Sequence, residues 1–252
     1  REENRRLLRS RGPVVVLEAS PDTIYKRTRR HKRPLLELGD PVQRIQQLLA
    51  ERTPAYDDVA SIKVSGDGRV STEDVGGASA VLMAATVTLL QLEIPLDAVA
   101  AAAAASAGIV ILNAAPAAPL PDRLLRSTDV LVVNRGELRA LTGSDDPVSA
   151  RVLPIPVTVV TLGADGACIV RAESDGVIPA PAVTPVDTTG AGDTFCGALA
   201  AGLDHGLSLE SSVRRAVVAG SLAVTAVGAR SGMPDAAELA AALRAHGMDD
   251  TG

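Results

Sequence analysis

From Leu89 onward, short β-branched runs alternate with helix-patterned stretches so regularly that few architectures can hold them. TLLQLE (88–93), IVILN (109–113), VLVVN (130–134) and VTVVTLG (157–163) read as strands, and GACIV (166–170) reads as a hairpin partner of the last. Between them, Asp97–Ala107, Asp122–Ser127 and Gly136–Leu141 carry helical patterns, and three more helices close the chain at 191–205, 209–227 and 235–245. Apolar strands separated by helices build a parallel sheet covered by helices on both faces. In such an α/β fold, ligands lie beyond the C-terminal ends of the strands.

The first third follows a looser pattern. Pro13–Ser20 reads as a strand running into a helix that ends near Arg30, and a basic, Pro-broken loop follows. Val42, Ile45, Leu48 and Leu49 then recur at helical spacing, Ala60–Ser65 is a strand, and Glu73–Thr86 a helix. Charge divides the chain in the same place. Residues 1–60 hold 13 Lys and Arg against 9 Asp and Glu, whereas 61–252 hold 12 against 21. That asymmetry points to two parts with different ligands.

Composition excludes some functions. With no Trp, one Phe and two Tyr, the chain has no aromatic platform for stacking bases, and a net charge of −5 disfavours a nucleic-acid partner. The Ala-rich run at 98–110 is interrupted by Ser106 and Gly108, so no membrane partner is expected, and no signal peptide is visible. Cys168 and Cys196 have neither metal-site nor redox-motif spacing, which points to buried, reduced thiols and a cytoplasmic location.

The richest chemistry lies in VDTTGAGDTFCGALAAGL, Val186–Leu203, where a Gly-Ala-Gly turn opens a helix with an apolar stripe of Phe195, Leu199 and Leu203. Unpaired N–H groups at such a start attract anions, and the glycines let a phosphate come close to Gly190, Ala191, Gly192 and Asp193. Asp193, in the first turn, is placed to act as a base toward an alcohol meeting that phosphate. A bare Gly-x-Gly-Asp is also satisfied by a plain helix start whose acid favours the dipole.

The surroundings decide between these readings. D-T-T-G-A-G-D at 187–193 resembles a signature of the ribokinase, or pfkB, family of carbohydrate kinases. Asn134–Glu137 (NRGE), Thr161–Ala167 (TLGADGA), Gln91–Pro95 (QLEIP) and Leu112–Pro116 (LNAAP) match further patterns of that family in order. The resemblance runs from about Leu89 to Ala245 and implies a ribokinase-like sheet and phosphoryl transfer from ATP to a ribose-like sugar. It makes Asp193 the general base, the Gly190–Asp193 amides an anion hole, and Glu93 a sugar contact. Asn134 and Glu137 would act near the nucleotide phosphates and Mg2+ through water, while Thr161, Gly163 and Gly166 would line the nucleotide site. Asp187 would hold a monovalent cation, K+ in most of the family, with carbonyls near Thr189, Ala223 and Gly228. A family position that often supplies a Ser hydroxyl to that cation falls on Gly232. The sugar-binding segments and β lid that open family members do not precede Leu89, and the homodimer that uses the lid is one open option.

Residues 1–85 resemble a different family. ENRRLL, PVVVLEASPDTIYKR, RPLL at 33–36 and ERTPAYDDVA at 51–60 are similar to the C-terminal half of shikimate kinase, a P-loop-kinase-like α/β segment. That likeness gives Arg33 the place of a lid arginine over ATP phosphates and Arg52 that of a carboxylate-binding arginine. A guanidinium suits both tasks because its planar fork matches either anion. No G-x-x-x-x-G-K-[ST] phosphate loop occurs in these residues, so shikimate phosphorylation by them alone is not expected. The division falls at 85/86. Three readings stay open: a ribokinase-type catalytic half, a bifunctional shikimate and ribose kinase with more chain upstream, and a degenerate fusion that binds nucleotide only.

Overall fold

The computed structural model describes residues 15–28, 40–59, 62–65, 70–229 and 231–248. They belong to two compact units, 1–81 and 82–252.

In the first unit, β1 (Val15–Glu18) and β2 (Ile62–Ser65) pair in parallel with Val15 opposite Ile62. Between them in the chain come α1 (Pro21–Thr28) and α2 (Pro41–Val59). Asp40 starts α2 by accepting the Val42 N–H at 2.9 Å, a capping bond that satisfies one otherwise unpaired donor. Arg52 is exposed on α2, whereas Arg33 lies outside the described residues. The helix expected over 73–86 is two helices, α3 (Thr72–Gly77) and α4 (Ser79–Ala84), divided at Ala78. Gly76 and Gly77 weaken helix continuity at the break.

The second unit is a six-stranded sheet in the order β3 (Val87–Gln91), β4 (Ile109–Asn113), β5 (Val130–Asn134), β6 (Val157–Thr161), β7 (Ala167–Val170), β8 (Asp175–Ile178). The first four run parallel, β7 runs antiparallel to β6, and β8 antiparallel to β7. The sheet is therefore mixed rather than parallel throughout. The link from β6 to β7 is too short for a crossover helix and must turn straight back. The turn from β7 to β8, closed by the Arg171 N–H on Ser174 O, does the same.

Alternation along the strands divides the core. Val110, Leu112, Leu131, Val133 and Val160 face one cluster with residues of α5 (Leu96–Ala105), α6 (Asp122–Arg126) and α7 (Arg135–Thr142). Their neighbours Ile111, Val130, Val132 and Val159 face the other, built on α8 (Ala191–Asp204) and α9 (Leu209–Ala223). Period-two burial on both faces is the arrangement expected for central strands of an α/β sheet. α10 (Ala236–Ala245) packs outside α9 through Leu239 and Leu243. α9 ends at Ala223 rather than near Val227 because the Val224 carbonyl turns out to accept the N–H groups of Val186 and Asp187. A 3-10 turn at Pro147–Val152 was not signalled by hydrophobic period, being capped instead by Asp146.

Candidate functional site

Sheet register gathers the polar strand ends. Gln91 lies opposite Asn113, and Asn134 opposite Thr161, all at the C-terminal ends of parallel strands. Asn134 stops β5 and caps α7: its Oδ1 accepts the Glu137 N–H at 2.9 Å, and Glu137 Oε2 accepts the Asn134 N–H at 2.8 Å. This reciprocal box fixes both side chains. Burial pushes the Glu137 carboxyl up, outweighing the lowering effect of the Asn134 hydrogen bonds.

After β6 the chain folds through Leu162–Gly166, closed by the Leu162 N–H donating to Gly166 O at 2.8 Å. Gly166 has φ 95°, and a Cβ there would overlap the Ile178 carbonyl. Only glycine satisfies both conditions.

The start of α8 is built similarly. Gly190 is its N-cap at φ 81°, and a Cβ would come within 2.7 Å of Ala229 O. No side chain caps the helix. The Ala191 N–H reaches Thr188 O at 3.3 Å, while the N–H groups of Gly192 and Asp193 have no acceptor among the described hydrogen bonds. Those two donors, with the helix field behind them, make a concentrated site for an anion.

A cavity of about 620 Å³ joins the two loops. Thr161, Gly163 and Gly166 line one side, and Ala191 and Gly192 another. Its remaining walls include Pro181, Val183, Phe195, Val217 and Gly220, so most of its surface is apolar. No short motif marks this apolar wall. The prolines at 179, 181 and 185 were the available signal that an extended segment, not a helix, follows β8. Space of this size, with a few polar side chains such as Thr161, Thr188 and Ser221 in a mostly apolar lining, suits a nucleotide-sized ligand.

Asp193 is exposed and accepts a 3.1 Å hydrogen bond from Gln91 Nε2. Glu93 is exposed in the bend after β3, and among the described hydrogen bonds none links it to Asp193. Asp187 holds the loop before α8: Oδ1 accepts the Thr189 N–H at 2.9 Å and Oδ2 the Gly228 N–H at 2.8 Å. The Thr189 N–H, its hydroxyl and the Gly228 N–H together hold this carboxyl below the ordinary range. Gly232 packs so closely on the Ala223 carbonyl that a Cβ would overlap it, so no larger side chain fits there in this arrangement. Cys196, one turn after Asp193, is buried and its thiol is pushed up to about 12, chiefly by desolvation, leaving it inert as a nucleophile.

Two family models match the chain: pfkB family carbohydrate kinase over residues 58–236, and shikimate kinase over 1–83. The first begins well upstream of the earliest motif, Gln91–Pro95, and overlaps the second at 58–83. Ribokinase of Lactococcus lactis is 36% identical over 161 residues, covering 63% of this chain and 54% of that protein. Ribokinase of Arabidopsis thaliana, solved with ribose and ATP, superimposes with a TM-score of 0.66 at 27% identity, covering 79% of this chain and 78% of the other. Shikimate kinase of Deinococcus radiodurans is 55% identical over 74 residues, 29% of this chain and 37% of that protein. The chain spans about half the length of the curated ribokinases it matches.

Proposed function

The chain belongs to the pfkB family of carbohydrate kinases, and from that premise we propose that it transfers the γ-phosphoryl group of ATP to a hydroxyl of a ribose-like sugar. The observation that carries this reading is a cavity lined both by the glycine turn of Thr161–Gly166 and by the uncapped start of α8. The apolar part accommodates a base and ribose, and the open N–H groups of Gly192 and Asp193 donate to the transferring phosphoryl oxygens. Asp193 stands beside those donors on the same helix turn. Its carboxylate removes the acceptor hydroxyl's proton as the sugar oxygen bonds to phosphorus, and the bond to the β-phosphate oxygen breaks to release ADP. Positioning and charge stabilisation supply most of such a barrier reduction, which this small set of groups can provide.

Magnesium and potassium belong to the same proposal. Among the described residues no cluster of three His, Cys, Asp or Glu could hold a metal. Mg2+ does not need one, since it is bound by one or two carboxylates, water and the nucleotide's own phosphates. Glu137 fits that demand because the capping box uses only its Oε2. Mg2+, when bound, neutralises charge on the transferring phosphates. Asp187 and the neighbouring carbonyls are an all-oxygen set suited to a hard cation such as K+. Both cysteines are free and buried, which agrees with the reducing cytoplasm. No helix of the described residues is long and apolar enough to cross a membrane. The shikimate-kinase-like stretch has no phosphate loop of its own among these 252 residues, so phosphoryl transfer is assigned to the second unit.

The test is mass spectrometry of a pentose panel incubated with Mg-ATP, together with a cavity-filling Gly220→Leu variant. A phosphorylated pentose from the wild type and none from the variant supports the reading. No phosphorylated sugar from a wild type that binds Mg-ATP contradicts it.

A further inference from the structure

Four α-helices among the described residues carry an acid at their third position: Asp74 in α3, Glu137 in α7, Asp193 in α8 and Glu238 in α10. Three of these close back on their own helix start. Asp74 bonds the Ser71 N–H, Glu137 the Asn134 N–H and Glu238 the Asp235 N–H, each at 2.8 Å. Such a bond is the ordinary use of an acid in that place. Asp193 departs from it. Its N-cap is a glycine with no side chain to complete a box, and its Oδ1 accepts from Gln91 Nε2, 102 positions away in the chain.

We infer that Gln91 is the positioning residue for the Asp193 carboxylate, pinning Oδ1 so that Oδ2 remains the oxygen available to the acceptor hydroxyl. This rests on the kinase reading for its catalytic consequence. A carboxylate only accepts, so the amide nitrogen of Gln91, not its oxygen, must face it. The donor is also neutral. It fixes the carboxylate without the opposing charge that Lys or Arg would bring to a group whose task is to take a proton. Gln91 is suited to hold a partner still because it is the last residue of β3, with its backbone fixed by pairing to Asn113 on β4. Rigid elements place such groups more accurately than loops do. The motif at 91–95 therefore contributes through its first residue as well as through Glu93.

Two variants separate positioning from packing. Gln91→Met keeps length and loses the donor, and Gln91→Glu keeps shape but sets a second carboxylate against Asp193. Each should lower kcat by about tenfold to a hundredfold, the range for a slightly misplaced catalytic group, with KM for ATP unchanged. In an Asp193→Asn background, Gln91→Met should change the residual rate by no more than about twofold, because a residue acting only through Asp193 has nothing left to act on. Losses that multiply in the double variant, or a Gln91→Met enzyme as fast as wild type, overturn the inference. A readout independent of turnover is the NMR signal of the Gln91 side-chain amide, which should shift when Asp193→Asn is introduced. An unmoved signal overturns the inference, whereas a wild type without turnover overturns the kinase reading instead.

Discussion

Gly228 donates its N–H to Asp187 Oδ2 at 2.8 Å, joining the turn after α9 to the segment that leads into α8. The Val224 carbonyl strengthens the same junction by accepting the N–H groups of Val186 and Asp187. One carboxylate thus fixes the approach to the α8 start while leaving lone pairs for a cation.

Asp187→Asn tests that role. An amide presents an NH2 group toward at least one of the two backbone donors, so a bond is lost and the melting temperature at pH 7 should fall. The sign with pH follows from the lowered carboxyl of Asp187. Stability from its bonds is present above the unfolded value, about pH 4, and is lost as pH falls through the folded value. The gap between wild type and variant should therefore be full at neutral pH and narrow below about pH 4. Stimulation of turnover by potassium chloride should disappear in the variant. An equal melting temperature at pH 7 contradicts the structural part, and retained stimulation contradicts the cation part.

Glu137→Gln should behave in the opposite sense. The folded carboxyl is raised by burial, so ionisation at pH 7 opposes folding and wild-type stability declines as pH rises through the folded value. Gln keeps an oxygen for the Asn134 N–H, so the capping box survives. Melting temperature at pH 7 should equal or exceed that of wild type, with the difference vanishing below about pH 4. The magnesium concentration for half-maximal turnover should rise about tenfold, the lower end of losses for groups that act on a metal through an intermediary. Unchanged magnesium dependence would place the metal away from Glu137.

Two glycines two positions apart should respond differently to Ala. Gly190→Ala forces a Cβ onto a left-handed backbone and against Ala229 O, and should cost more than about 1–2 kcal/mol. Gly192 has open space around a Cβ and lies within α8, so Ala there should stabilise by up to about 1 kcal/mol. Because Gly192 lines the cavity, calorimetry should nonetheless show weaker Mg-ATP binding. Undiminished affinity in Gly192→Ala would mean that the phosphates lie elsewhere.

Local signals made part of this architecture readable in advance. Strands such as IVILN and VLVVN are apolar on both faces and bounded by helices, so their identity follows from composition alone, and α8 begins where the Gly-Ala-Gly turn indicates. Strand direction beyond β6 is a matter of connection length, and β8, DGVI, carries too few apolar residues to stand out from a loop. The candidate positions Asp193, Asn134 and Glu137 each lie in or directly before the first turn of a helix, and Thr161–Gly166 is one tight turn, so each stands out as a short local motif. Gln91 and the wall formed by Val217 and Gly220 come from elements distant in sequence, and only tertiary packing brings them to Asp193 and Phe195.

The most direct measurement of the central claim is ribose-dependent ADP release from Mg-ATP with potassium present, comparing wild type with Asp193→Asn. The two side chains have nearly equal volume, and the backbone donors of Gly192 and Asp193 do not depend on the carboxylate. In the variant kcat should be lower by about 10²–10⁴-fold, the usual range for a lost general base, with ATP affinity nearly unchanged. Equal ribose-dependent rates in the two proteins would contradict it.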